Sequence, residues 1–260
     1  MNKFLNYTRN CLLEAIVAEK FILSYSIMLI INGIVILLEY SQNLDILYVF
    51  DSIIVFGPFS LLAIVAASIP YSDCFCNSWI TGQSYLCIIR ISSKKYAGAK
   101  AIAVYISGFC SVFLSLVTTV LVLSLFLPFA NPELDNFSYF LNSPLGDIIS
   151  KNPFVYFILR ATIFSASCGF WALVGLLSSA FFLKKNVSYV APLCIYYFVE
   201  NASAALSIPP QFNIGLLMVG NVRIGSSLGT FFTITGVNIV CSLVVALLFM
   251  SRVDWRINNE

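Results

Sequence analysis

Few side chains in this 260-residue chain could do chemistry, and their types narrow that chemistry sharply. There is no histidine. That removes the commonest general base and metal ligand, and with it Ser-His and Cys-His dyads and His-ligated zinc sites. No G-x-x-x-x-G-K-[ST] phosphate loop occurs, because Lys100 in Gly98-Ala99-Lys100 lacks both the upstream glycine and the following hydroxyl. Cys74 and Cys76 form a C-x-C pair without further ligands, so free thiols are expected rather than a metal centre. Two opposite charges, Arg160 and Glu200, sit in consecutive apolar segments at a similar depth, roughly 10–12 Å from the same end. They can form an intramembrane ion pair, or each can snorkel separately to the interface. With no catalytic constellation, the chain is not expected to be an enzyme, and no cofactor or metal is expected in it.

The elements that position these residues are apolar. Hydrophobic residues make up 60% of the chain and charged residues 10%; the mean hydropathy is +0.92. Segments near 20–38, 51–69, 101–129, 153–182, 187–207 and 228–250 are each long enough for about 20 residues to cross a bilayer. Helices satisfy their own backbone polar groups in lipid, and the short alternating segments of a β-barrel are missing. The predicted fold is therefore an all-α polytopic membrane protein, a single transmembrane domain over 1–260 with six spans. Lys3, Arg9, Lys20, Arg90, Lys94, Lys95, Lys100, Lys184, Lys185, Arg252 and Arg256 fall on one side of such a topology. Glu39, Asp45, Glu133, Asp135 and Asp147 fall on the other, with only Lys151 and Arg223 as bases. The positive-inside rule then places both termini in the cytoplasm. The net charge of +2 follows from this bias and points to no nucleic-acid partner. None of the eight cysteines falls in an outer loop, so no structural disulfide is expected.

Three segments outside the spans carry information. Residues 2–19 place Phe4, Leu5, Cys11, Leu12, Ala15 and Ile16 on one side and Asn6, Arg9, Asn10 and Glu14 on the other, which suits a helix lying in the membrane interface. Residues 71–90 follow Pro70; Asp73 can cap a helix running through Phe75 and Trp79 to Arg90. An aromatic and basic helix there can push against a cytoplasmic partner, or the segment is a charged loop that only fixes orientation. Residues 208–227 are apolar yet broken by Pro209-Pro210 and Gly225, as in a re-entrant hairpin on the outer side or a loop packed on the outer ends of the spans.

The order of these parts resembles the transmembrane subunits of type-2 ABC exporters. The local match is Phe75-Cys76-Asn77-Ser78-Trp79-Ile80-Thr81-Gly82, then Ile89-Arg90 through Lys94-Lys95-Tyr96-Ala97-Gly98-Ala99-Lys100, and the close Phe249-Met250-Ser251-Arg252-Val253-Asp254. The resemblance implies that 71–90 is a coupling helix, with Phe75, Trp79, Gly82 and Arg90 contacting a separate ABC ATPase that holds ATP and Mg. It implies a second copy or a paralogous permease as partner, in contact with membrane lipids, in a bacterial plasma membrane. The substrate it suggests is a peptide or other amphipathic molecule, as in lantibiotic export and immunity. Competing readings are an ion-gradient-driven secondary carrier, which would want an inverted repeat, and a non-transporting scaffold or sensor.

Overall fold

The computed structural model describes residues 2–39, 45–55, 57–131 and 137–259; Glu133 and Asp135 of the orientation argument lie outside them. The described residues are helical, with no strand. In chain order the helices are α1 (Asn2–Val17), α2 (Glu19–Leu38), α3 (Ile46–Val55), α4 (Gly57–Ser68), α5 (Cys74–Ile80), α6 (Gln83–Ile91) and α7 (Ser93–Leu123). They continue with α8 (Phe137–Leu141), α9 (Gly146–Ile149), α10 (Pro153–Phe181), α11 (Lys185–Ala205), α12 (Ile214–Val219) and α13 (Ser227–Asn259).

Four of these, α2, α7, α10 and α13, are long and apolar enough to cross a membrane. They correspond to the first, third, fourth and sixth predicted spans. The second, drawn at 51–69, is instead the pair α3 and α4, bent by 73°. Pro58 at the start of α4 has no N–H to donate, so it suits the first turn of a new helix and not the interior of a continuous one. The fifth, drawn at 187–207, is the 21-residue α11, which has the length of a span. Its hydropathy falls short, since it carries Lys185, Asn186, Glu200 and Asn201.

Helix α10 is the axis of the bundle. Its most apolar stretch is 78% buried inside the chain, against 11% for α13, which lies on the periphery. Asn152 starts α10, its side chain accepting from the N–H groups of Phe154 and Val155, with Pro153 in the first turn. Close approach of neighbours depends on small residues. A Cβ at Gly175 would stand 2.3 Å from the Ser188 carbonyl oxygen on α11, and one at Gly108 of α7 would stand 2.8 Å from the Ala67 carbonyl oxygen on α4. Polar side chains tie the helices elsewhere. Ser24 donates to the Ala66 carbonyl (2.7 Å), Asn32 to Thr119 (2.9 Å), and Ser72 to the Ala172 carbonyl (3.0 Å).

Candidate functional site

An array of charged and polar contacts lies where α1, the start of α2, α5, α6, the start of α7 and the end of α13 meet. Around α5 it is built from the core outward. The Phe75 ring is fully buried, edge-on to Phe249 of α13 and tilted against Trp79, each 5.4 Å between centroids. Trp79 in turn packs on Tyr85 at 5.2 Å, and the Arg256 guanidinium lies 5.5 Å from its ring. Arg256 also donates to the Ala180 carbonyl at the end of α10 (2.9 Å), giving the buried cation an acceptor where a helix exposes its last carbonyls. The Ser78 and Tyr96 hydroxyls share a hydrogen bond of 2.6 Å that pins α5 to α7.

Two charge relays complete the array. Lys20 of α2 pairs with the buried Asp73 carboxylate and donates to the Tyr189 hydroxyl of α11 (3.2 Å). Asp73 also accepts from Asn77 (2.8 Å). Asp73 therefore does not cap α5 with its side chain, as the sequence suggested; its carboxylate is held by the lysine and the amide. In the second relay the buried Lys100 ammonium donates to the Tyr71 hydroxyl (2.8 Å), which donates to Glu14 of α1 (2.7 Å). A buried cation is thus neutralised through a phenol by a carboxylate on another helix, which offsets its desolvation. A cavity of about 250 Å³ is lined by both relays, with Glu14, Lys20, Tyr71, Asp73 and Lys100 on its wall.

Burial holds two thiols of this region, Cys11 and Cys74, in the neutral form. Burial pushes the Cys74 thiol up to about 12, with Lys100 countering only in part. Burial likewise raises Cys11, again opposed by Lys100, and Tyr71. Thiolate is the reactive form of cysteine, and burial disfavours it at Cys11 and Cys74. The described residues hold no group of three or more Cys, Asp or Glu able to bind a metal.

Of the four residues expected to face a partner, Arg90 is exposed, Gly82 is half-buried, and Phe75 and Trp79 are buried. Segment 71–90 is two helices, not one. Gly82 adopts the left-handed conformation (φ 73°) and turns the chain between α5 and α6, where a side chain would strain the backbone. Phe75 and Trp79 belong to the inner helix, with 0% and 9% exposure, and cannot reach a separate subunit. Arg90 and Gly82 lie on the outer unit. The large exposed side chains on α6 are Tyr85 (44%), Leu86 (63%) and Ile89 (82%), none of which the sequence reading assigned to the partner contact. Leu86, Ile89 and Arg90 fall on one stripe of α6 at helical spacing. Beside them a recess between α1 and α6 is lined by Lys3, Asn6, Asn10 and Arg90.

At the opposite end of the bundle Arg160 does not pair with Glu200. Its buried guanidinium meets Asp51 of α3 at 2.9 Å, the Gly220 carbonyl at 2.8 Å and the Asn221 side-chain oxygen at 3.5 Å. The backbone at Gly220 ends α12, so Arg160 clamps segment 208–227 onto α10. Glu200 instead faces Gly215 of α12 and the Tyr196 hydroxyl. Asp51 escaped the sequence reading because the second span was drawn to begin at that residue, which made its carboxylate a boundary group. Compared with known proteins, the chain matches no family model, no curated protein and no solved structure.

Proposed function

We propose that this chain is the transmembrane permease subunit of an ATP-driven exporter of the type-2 ABC kind, moving a peptide or other amphipathic substrate with a separate ATPase subunit. In this reading the bundle has six spans, with the bent pair α3–α4 as the second and α11 as the fifth. Both termini are cytoplasmic, and two permeases share one transport path. The observation that carries it is the outward stripe of α6. Leu86 and Ile89 are 63% and 82% exposed, beside an exposed arginine, on a short helix standing outside the spans. Isolated apolar side chains are common on surfaces, but a stripe on a helix anchored so firmly from behind has the form of a docking element. The anchoring acts on α5, through Phe75, Trp79 and the Ser78–Tyr96 bond, and reaches α6 through the packing of Trp79 on Tyr85. Force applied to α6 passes to α5 and then to α7, α10 and α13, the helices α5 packs against.

Affinity purification of the tagged chain from its native membrane tests this. A stoichiometric ATPase that is lost with Leu86→Glu and Ile89→Glu supports the proposal; purification without an ATPase removes it. The buried Arg160–Asp51 pair favours a second reading, an ion-gradient-driven carrier, since ionisable groups inside an apolar bundle mark ion paths. Uptake in ATPase-free proteoliposomes under an imposed proton gradient separates the two.

A further inference from the structure

The outer side of α7 and α13 carries a groove that none of the preceding roles uses. Its volume is about 490 Å³, within the range of small-molecule sites, and its walls are almost wholly apolar. On α7 it runs from Gly98 to Ile106 and on α13 from Ile239 to Met250. At 1.5 Å per residue these stretches are about 12 and 16 Å long, close to one leaflet of a hydrocarbon core about 30 Å thick. Small residues form the floor: Gly98, Ala101 and Ala246. A Cβ added at Gly98 would only touch the end of the flexible Met250 side chain, at 3.8 Å.

The mouth is charged. Lys94 and Lys95 precede Gly98 by four and three residues, so they continue the same helical stripe about one turn beyond the groove. Both are exposed, and neither belongs to an ion pair among the described residues. Asp254, the nearby acid of α13, is engaged by the Ser93 hydroxyl. At the far end of the groove the Ser242 hydroxyl is buried and has no hydrogen-bond partner.

We propose that this groove binds one anionic phospholipid of the leaflet at the lysine-bearing end, an acyl chain lying along α7 and α13 and the phosphate resting on Lys94 and Lys95. The lysines choose the occupant. A second copy packed symmetrically over the mouth would bring the same lysines together, and like charges across an interface oppose association. An anionic headgroup meets them with the opposite sign, and juxtamembrane lysines attract such lipids. The proposal depends on the chain lying in a membrane and not on an ATPase partner, so either can fail alone.

The test is native mass spectrometry of the full chain released from nanodiscs of mixed phosphatidylglycerol and phosphatidylcholine. The wild type is expected to retain one phosphatidylglycerol, preferred over phosphatidylcholine by about tenfold or more, and Lys94→Gln with Lys95→Gln is expected to erase that preference. Ser242→Leu fills the far end while removing an unsatisfied hydroxyl, which favours folding, and it is expected to abolish retention. Gly98→Leu fills the near end and gives the same readout independently. Equal retention of the two lipids by the wild type would overturn the proposal. So would undiminished retention in both filled variants, or copies cross-linking through Leu247→Cys, which would put a second chain in the groove.

Discussion

Removing Asp51 should strand a buried cation. In the native chain the Arg160 guanidinium is 1% exposed and lies 2.9 Å from the Asp51 carboxylate, which is 16% exposed. At an effective dielectric near 20, two unit charges at that distance attract by about 6 kcal/mol. Part of this is offset by solvent at Asp51, and Asp51→Ala still leaves Arg160 the Gly220 carbonyl and the Asn221 side chain. Breaking a buried pair by deleting one partner typically costs about 3–5 kcal/mol, so Asp51→Ala should cost about 3 kcal/mol. Arg160→Met should cost less, about 1–2 kcal/mol, because the orphaned carboxylate can reach water, though the clamp on 208–227 is lost. The double variant should be no worse than Arg160→Met, a coupling of about 3 kcal/mol. Thermal unfolding in a mild detergent measures it, with a shift of about 6–12 °C for Asp51→Ala. A double variant whose loss equals the sum of the single losses would refute the pairing. The same cycle run on Arg160→Met and Glu200→Ala should be additive within about 0.5 kcal/mol, since those side chains do not meet.

Three further outcomes follow from the other end of the bundle. Trp79→Ala should destabilise the fold by about 3–5 kcal/mol, as a buried aromatic lost from a core does, whereas Ile89→Glu should leave the melting temperature unchanged and remove only partner binding. Tyr71→Phe deprives Lys100 of its acceptor and Glu14 of its donor; a cost of about 1–3 kcal/mol and faster amide exchange in α1 are expected. Cys74 is held neutral by burial, its folded value near 12 lying above the ordinary 9.0. Its contribution to stability is therefore complete below about pH 9 and fades as pH rises toward 12, and Cys74→Ala should flatten the alkaline limb of a pH–stability curve.

What could be read from the sequence was whatever depends on near neighbours along the chain. Length and hydropathy located α2 and α10 to within a residue and α7 and α13 to within about two and a half turns, and Asn152-Pro153 marks the start of α10 by its own chemistry. The break at Gly82 was not read, because the aromatic run on either side of it suits one continuous helix. The inward turn of Phe75 and Trp79 was not legible, because aromatic side chains serve buried cores and docking faces alike. The depth of Arg160 could be computed from its position, but its partner could not. Asp51 is 109 residues away and arrives through the packing of α3 on α10. The Lys100–Tyr71–Glu14 relay has the same character. Each member looks like an ordinary boundary residue, and only tertiary packing joins them.

Cross-linking tests the central claim most directly. A cysteine placed at Ile89, in a variant whose Cys87, Cys194 and Cys241 are replaced, would be treated in native membranes with a short thiol-to-amine reagent. The account predicts one dominant product, this chain joined to an ATP-hydrolysing subunit, whose yield changes when ATP is trapped in that subunit. A product joined to no ATPase, or the same yield from a cysteine at Trp79, would contradict it.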